Sequence, residues 1–399
     1  MTTENVLAPG GPLAGVTVLD LTSYLAGPYG CALLADLGAD VIKVEAPEGD
    51  MLRRYPSTLE GESRAFVGAN RGKRAIVMNL KDEAGRDALY RLVERADVLV
   101  QNFRPSVPAR LKIDYATLRD RNPRLIYFAL TGYGDGGPLC DQPGFDQVLQ
   151  TMTGIAAFQG AATGSPPQVV VGSIVDYYAS ALTALGITAA LHHRARTGEG
   201  QYVSTSLLRT ALTMQACRFV WTHREPREVN RELTPGRTAG IHPTKAGYLY
   251  ISAHTERFWQ ALCEILEVPE LAHDRRYDTM RKRADRADEL LPRIHAALAR
   301  RTALEWEALM AGRVPSAAAR RIEDLFDHPQ VLAEGLVETL EHPTIGRYRT
   351  ITRPLHFGNT PGGSAKGAPA LGQHTESVLI EHGVAPDDIS ELRRRGAIG

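Results

Sequence analysis

Cysteine is scarce. Cys31, Cys140, Cys217 and Cys263 are far apart, with no CxxC pair. This excludes a disulfide-stapled mini-fold and fits a reducing, cytoplasmic compartment. An excess of charge of one sign is also lacking. Lysine plus arginine number 46, as do aspartate plus glutamate. A protein devoted to nucleic acid or an anionic membrane needs clustered positive charge, so neither partner is expected. The opening Met1-Thr-Thr-Glu-Asn-Val has no basic n-region and no apolar h-region, so no secretory signal is expected. The most apolar stretch, residues 169–191, contains Asp176 and two tyrosines and is too mixed for a membrane span. Neither HExxH nor GxSxG occurs, and His192 and His193 are adjacent rather than an i, i+4 chelating pair. No metal is expected. No internal repeat is visible. With 43% apolar residues, the chain has material for a large core.

What is present is an alternation. Strand-type runs at 16–20, 41–45, 76–80, 98–101 and 125–130 are interleaved with helical stretches at 30–37, 82–95 and 115–120. Strand, helix, strand within about 30 residues reads as a βαβ unit, and its repetition predicts an α/β fold on a parallel sheet. A long helix is predicted from Asp176 to about Arg196, stopped by Thr197-Gly-Glu-Gly200, with another strand at 201–206. The texture changes beyond Val220. Residues 222–237, rich in Arg, Glu and Pro, read as a linker, and 256–313 as the helices of a second, smaller domain. After His328-Pro329 come short strands and turns, a Gly/Pro/Ser stretch at 359–369 and a closing helix at 376–381 with Thr375 as N-cap.

Gly132-Tyr-Gly-Asp-Gly-Gly137 fits GxGxxG after a strand, but Pro138 and polar residues follow it, not the helix N-terminus that a dinucleotide pyrophosphate requires. Arg71-Gly-Lys-Arg74 with Lys81, and Asn102-Phe-Arg-Pro105 with Arg110, could meet phosphates or could be solvated loop charges. Asp176, between an apolar run and an apolar helix, has two compatible readings. One is a helix N-cap. The other is a poorly hydrated carboxylate, kept ionised by the helix dipole, that can attack a carbonyl.

Taken in order, a series of segments resembles the class III CoA-transferases, the family of formyl-CoA transferase and carnitine CoA-transferase, which also contains α-methylacyl-CoA racemase. The segments are Gly15-Val-Thr-Val-Leu-Asp-Leu-Thr22, Ala26-Gly-Pro28, Leu37-Gly-Ala-Asp-Val-Ile-Lys-Val-Glu45, Asn70-Arg-Gly-Lys-Arg74, Val100-Gln-Asn-Phe-Arg-Pro105, Thr131-Gly-Tyr-Gly134, Pro143-Gly-Phe-Asp146, Arg196-Thr-Gly-Glu-Gly-Gln201 and Leu371-Gly-Gln-His-Thr375. The resemblance implies an α/β protein whose Rossmann-like large domain is built from residues 1–220 and 329–399, with a smaller α+β domain at 221–328 and an interlocked homodimer. It implies acyl-CoA and a small carboxylic acid as substrates, with coenzyme A carried by the substrate. Asp176 matches the family's nucleophile, after Gly172, and Asp146 an auxiliary acid. By the same matching, Leu25, Ala26, Arg74, Met78, Asn79, Leu80, Lys81, Asn102, Phe103, Arg104, Arg110, Gln142, Pro143, Gly144 and Phe145 are implied to contact CoA, the arginines on its phosphates.

Three departures bear on activity. The racemase branch pairs its aspartate with a histidine in a Gly-His-Asp segment. This chain has Gly144-Phe145-Asp146, and a phenylalanine cannot move a proton. That favours transferase over the alternative of a 2-methylacyl-CoA racemase. The presence of Asp176 argues against a second alternative, a catalytically silent CoA-binding subunit. The glycine-rich loop of formyl-CoA transferases is replaced by Pro235-Gly-Arg-Thr-Ala-Gly240, and a basic residue common after the strand-ending Glu45 is replaced by Ala46. Arg53 and Arg237 could bind a second carboxylate or be surface charge.

Overall fold

The computed structural model describes residues 10–163, 165–225, 238–360, 362 and 366–399. In chain order the first elements are β1 (Thr17–Asp20), α1 (Ala26–Asp36), β2 (Asp40–Glu45), α2 (Arg64–Ala69), β3 (Lys73–Val77), α3 (Glu83–Val93), β4 (Val98–Gln101), α4 (Ser106–Arg110), α5 (Tyr115–Arg121), β5 (Ile126–Thr131), α6 (Asp146–Met152), α7 (Ile155–Thr163), α8 (Ile174–Thr197), β6 (Tyr202–Ser206) and α9 (Leu207–Thr213). There follow β7 (Gly240–Pro243), β8 (Tyr248–Ile251), α10 (Glu256–Ile265), α11 (Glu270–His273), α12 (Met280–Asp285), α13 (Ala287–Leu298), α14 (Ala303–Met310) and β9 (Ser316–Ala318). The last are α15 (Pro329–Ala333), β10 (Val337–His342), β11 (Gly346–Ile351), α16 (Thr375–Glu381) and α17 (Pro386–Arg394). The chain divides into two compact units, 1–220 with 330–399, and 221–329.

The larger unit is built on a six-stranded parallel sheet in the order β3-β2-β1-β4-β5-β6. Its inner strands are buried on both faces, which explains their nearly continuous apolar runs. Alternation sorts their side chains. Leu19, Ile42, Ile76, Leu99 and Tyr127 share one layer with α3, α16 and α17, while Val18, Val41, Val98, Ile126 and Phe128 share the other with α1 and α8. α8 is long and apolar enough to cross a membrane by length and composition. Here its Val175, Ala179, Ile187 and Ala190 lie in the second layer. The strand order reverses between β1 and β4. In open sheets of this kind ligands bind beyond the carboxyl ends of the strands at such a point.

The C-terminal segment closes the β3 edge. Ala75 N–H donates to His374 Nδ1 (3.1 Å), Val77 N–H to Thr375 Oγ1 (3.1 Å), and His374 N–H to Ala75 O (2.8 Å). An edge strand is thereby covered by side chains and backbone of a distant segment. In the smaller unit the antiparallel sheet β7-β8-β9 packs with helices around Trp259, Leu262, Leu290, Ile294, Trp306 and Met310.

Three sequence expectations shift. The first helix begins at Ala26, not residue 30, because Pro28 falls in the first turn, where a missing N–H costs nothing. The strand expected at 76–80 is Lys73–Val77, since Lys73 is buried against Asp20 and Arg74 pairs with Asp40. Thr375 is the first residue of α16, not its N-cap, because its hydroxyl is spent on Val77 and Gly372. Of the predicted linker, 226–237 lie outside the described residues, and so does Arg237.

Burial, with the nearby Arg74 and Lys366 charges, holds the His374 pKa below its ordinary value. The unfolded chain therefore binds the extra proton first, and stability falls as pH drops below about 6.5. His374→Leu, which removes the acceptor for Ala75 N–H, should cost about 1 kcal/mol at pH 7.5 in urea unfolding. It should also shrink the loss seen between pH 7.5 and 5.5. An unchanged acid sensitivity would refute this role.

Candidate active site

Asp176 is the third residue of α8. The cap position belongs to Ser173, whose left-handed backbone (φ 59°) follows Gly172 at φ 111°. Ser173 makes no side-chain cap bond. That corrects the N-cap reading of Asp176. The capping function comes instead from Asp146, a buried carboxylate at the start of α6, whose Oδ2 accepts the N–H groups of Val175 (2.6 Å) and Asp176 (3.0 Å). Its Oδ1 accepts from Gln150, and Gln150 also clasps Val170 through both N–H and C=O, so the approach to α8 is pinned.

The Asp176 carboxylate is half-buried and has neither a hydrogen-bond nor an ion-pair partner among the described residues. Burial, and next the charge of Asp146, push its pKa up to about 7. The helix dipole acts the other way but is worth only ~0.3–1 kcal/mol. A carboxylate that has lost part of its hydration and has no cationic partner is a stronger nucleophile than a fully hydrated one.

The β1–α1 loop lies against this helix. Ala26 O accepts from Ser180 Oγ (2.7 Å), and Ser180 Oγ also donates to Asp176 O (2.9 Å). α1 has no side-chain cap, and no side chain among the described residues accepts from the N–H groups of Leu25, Ala26 or Gly27. Ser23 and Asn102 exchange two hydrogen bonds, 3.0 and 2.8 Å, tying the loop after β1 to the loop after β4. Tyr24 meets Phe145 edge to face at 5.5 Å, and Tyr29 meets Tyr177 at 5.1 Å. Gly144 packs so closely on Gly132 that a Cβ there would stand 2.8 Å from the Gly132 Cα. The absence of a Cβ on both residues lets the residue 132–145 loop fold back to present Asp146.

The matched residues fall in several places. Ala26, Asn102, Phe145, Asp146 and Asp176 take part in the contacts just described, with Leu25 just before α1 and Gly144 beside Phe145. Met78 (buried), Asn79, Leu80 and Lys81 follow β3, and Phe103, Arg104 and Arg110 follow β4, all beyond the carboxyl edge of the same sheet. Gln142 and Pro143 are exposed in the loop before α6. Lys81, Arg104 and Arg110 are exposed, with no ion-pair partner among the described residues. Arg74 is not with them. It sits near the opposite end of β3, roughly 13 Å of strand from Met78. Its fork is occupied by Asp40 and Glu381, at the rim of a separate cleft of about 680 Å³ lined also by Arg347, Lys366 and His374. Arg53 is not surface charge. It is clamped by Glu45 and Glu62 over the ring of Phe66. No group of three or more His, Cys, Asp and Glu that could hold a metal occurs among the described residues.

Sequence reasoning missed the support under the loop. Asp20, Lys43, Asp50 and Lys73 are fully or nearly fully buried. Burial pushes the Asp20 carboxyl up, but the Lys73 and Lys43 ammonium groups outweigh it and hold the pKa at about 2. The available signal was Lys43 inside the apolar strand Val41-Ile-Lys-Val-Glu45.

The chain belongs to CoA-transferase family III, whose pattern matches residues 13–375. Among its relatives is the succinyl-CoA:mesaconate CoA-transferase of Haloarcula marismortui, 36% identical, covering 94% of this chain and 97% of the relative. Another is the mouse succinyl-CoA:glutarate CoA-transferase, 34% identical over 93% of this chain and 86% of the relative. A solved CAIB/BAIF family protein from Brucella suis superposes with a TM-score of 0.83 at 29% identity, covering 94% of this chain and all of that one. The structure of Rv3272 from Mycobacterium tuberculosis gives 0.80 at 32%, covering 92% and 99%.

A carboxylate whose folded pKa lies above its ordinary 3.8 destabilises the fold as pH rises from about 4 through about 7, because the folded state must release a proton it prefers to keep. Asp176→Asn should therefore stabilise the protein at pH 8 by about 1–2 kcal/mol in denaturant titration and change little at pH 4. Equal effects at both pH values would contradict the raised pKa.

Proposed function

We propose that this chain moves CoA from an acyl-CoA donor to a carboxylic acid through covalent intermediates on Asp176. The observation carrying this reading is the half-buried Asp176 carboxylate, without a partner among the described residues and with its pKa at about 7, on a helix that Ser180 joins to the uncapped start of α1. Ionised Asp176 attacks the donor thioester carbonyl, and the CoA thiolate leaves, giving a mixed anhydride. The thiolate then attacks the aspartyl carbonyl, giving aspartyl-CoA and freeing the donor acid. The acceptor carboxylate attacks that thioester and expels the thiolate again. The thiolate attacks the acceptor's acyl carbonyl, forming the new acyl-CoA and restoring Asp176. Each tetrahedral oxyanion needs donors, which the Leu25, Ala26 and Gly27 N–H groups can supply. Anhydride and thioester both require that water be kept away. Asp146 fixes the first turn of α8 and, by its charge, keeps Asp176 basic.

In this reading CoA lies across the carboxyl edge of the sheet, over Leu25, Ala26, Met78, Asn79, Leu80, Asn102, Phe103, Gln142, Pro143, Gly144 and Phe145, with Lys81, Arg104 and Arg110 on its phosphates. The strand order supports a Rossmann-like larger unit. Exposed Val171, Phe219 and Val220, 90, 72 and 61% accessible, support an interlocked homodimer that would cover them. Four unpaired cysteines support a cytoplasmic setting. The activities for which the relatives are named support small dicarboxylates as substrates.

The test mixes succinyl-CoA with labelled glutarate, mesaconate, oxalate and monocarboxylates and follows label into acyl-CoA. Exchange is expected with a dicarboxylate, with Asp176→Ala lowering kcat by about a thousandfold or more. Survival of exchange in that variant would refute the nucleophile. Deuterium entering the α-carbon of a 2-methylacyl-CoA without exchange would establish the racemase instead.

Because the attacking form is ionised, kcat/KM for the productive pair should rise with pH and level off above about 7. Asp146→Asn, by removing the neighbouring charge, should move that midpoint lower. A midpoint that stays put would show that Asp146 does not set the basicity of Asp176.

A further inference from the structure

The loop that brings α1 against Asp176 has an unusual backbone. Tyr24 is a bulky residue at φ 65°, a conformation that side chains with a Cβ rarely adopt and that persists only where the surroundings hold it. The hold comes from two buried ammonium groups and their carboxylates. Lys43 Nζ donates to Thr22 O (2.9 Å) and pairs with Asp50 Oδ2 (2.9 Å). The other Asp50 oxygen, Oδ1, accepts the N–H of Tyr24 (3.1 Å) and of Leu52 (2.9 Å). Lys73 Nζ spends its three donors on Asp20 Oδ2 (2.7 Å), Pro28 O (2.7 Å) and Asn70 Oδ1 (2.8 Å), while Asp20 Oδ1 accepts from Thr22 N–H (2.9 Å). The entry, the strained middle and the exit of the loop are each tethered to this network. Asp50 is held in turn by Glu45, whose carboxylate accepts its N–H (2.9 Å) and is clamped by Arg53. An apolar filling of the same space would pack as well and would cost less desolvation. What it could not do is bond Thr22 O and Tyr24 N–H.

Resting on the reading of Asp176 as nucleophile, we propose that Lys43 and Asp50 are positioning residues for the transfer, their buried ion pair holding Tyr24 in its strained turn so that the uncapped start of α1 stands over Asp176. Neither side chain touches substrate in this scheme. They act through the loop.

The test compares two full-length double variants, both free of an unpaired buried charge. Lys43→Met/Asp50→Asn keeps an Oδ1 acceptor for Tyr24, and Lys43→Met/Asp50→Leu removes it. Amide hydrogen exchange is read on the peptide spanning residues 21–29, beside melting temperature and the kcat and KM of the productive substrate pair. The leucine pair should melt close to the asparagine pair. Its loop should exchange about tenfold faster and its kcat fall about tenfold or more, with KM little changed, as expected when reacting groups are misplaced by a fraction of an ångström to an ångström. The asparagine pair, which keeps the acceptor for Tyr24 N–H but loses the Lys43 bond to Thr22 O, should fall between the leucine pair and the wild type in both. Should the leucine pair not fold, Lys43→Met/Asp50→Ala makes the same cut without added bulk. A leucine or alanine pair that melts like its partner yet keeps native loop protection, or native kcat with a released loop, overturns the proposal. If the wild type transfers no CoA at all, it is the reading of Asp176 that fails, and loop exchange alone then decides whether the ion pair holds Tyr24.

Discussion

The arrangement turns on the carboxylate of Asp146 accepting two N–H groups at the start of α8. A helix N-terminus has free donors and needs an acceptor. Supplying that acceptor from another helix, and not from Ser173, ties α6 to α8 and brings a second negative charge near Asp176. The same contact thus does two things at once. It fixes where Asp176 stands, and it makes that carboxyl harder to ionise and more basic once ionised. The rest of the site is arranged around this turn: the Gly132–Gly144 approach lets the loop reach it, Gln150 holds Asp146, and Ser180 joins it to α1.

Such an arrangement is costly. Two carboxylates near each other, a left-handed tyrosine and a helix start without a side-chain cap all weaken a fold locally. The compensation lies beneath, in strands buried on both faces and in the salt-bridged network of Asp20, Lys43, Asp50 and Lys73. Asp146 and Asp176 stand in the first turns of α6 and α8, and the paired charges lie in and beside the buried strands. The C-terminal segment adds to that rigidity by closing the β3 edge through His374 and Thr375.

The position of Arg74 shows how a matched residue and a sited residue differ. In the sequence it stands in a basic run that could meet phosphate. In the fold it is near the amino end of its strand, with Asp40 one strand over and Glu381 on α16, so both halves of its guanidinium are already bonded. Lys81, Arg104 and Arg110 leave their strands at the other end and keep their charges unpaired among the described residues. In a parallel sheet a shift of a few residues along a strand exchanges one edge for the other, which no count of charges reveals.

By itself the sequence determined the α/β class, the alternation that makes a parallel sheet, the change of texture near residue 220 and, through ordered motifs, membership of CoA-transferase family III. These follow from local periodicity and from residues in fixed succession, which a linear chain displays directly. Only the tertiary structure decided that Asp146 caps the helix of Asp176, that Arg53 and Arg74 are already paired, and that Lys43 reaches the loop carrying Tyr24. Those partners lie up to hundreds of positions apart, as Arg74 and Glu381 do. Charge pairing and burial depend on distance in space, and folding sets that distance, not spacing along the chain.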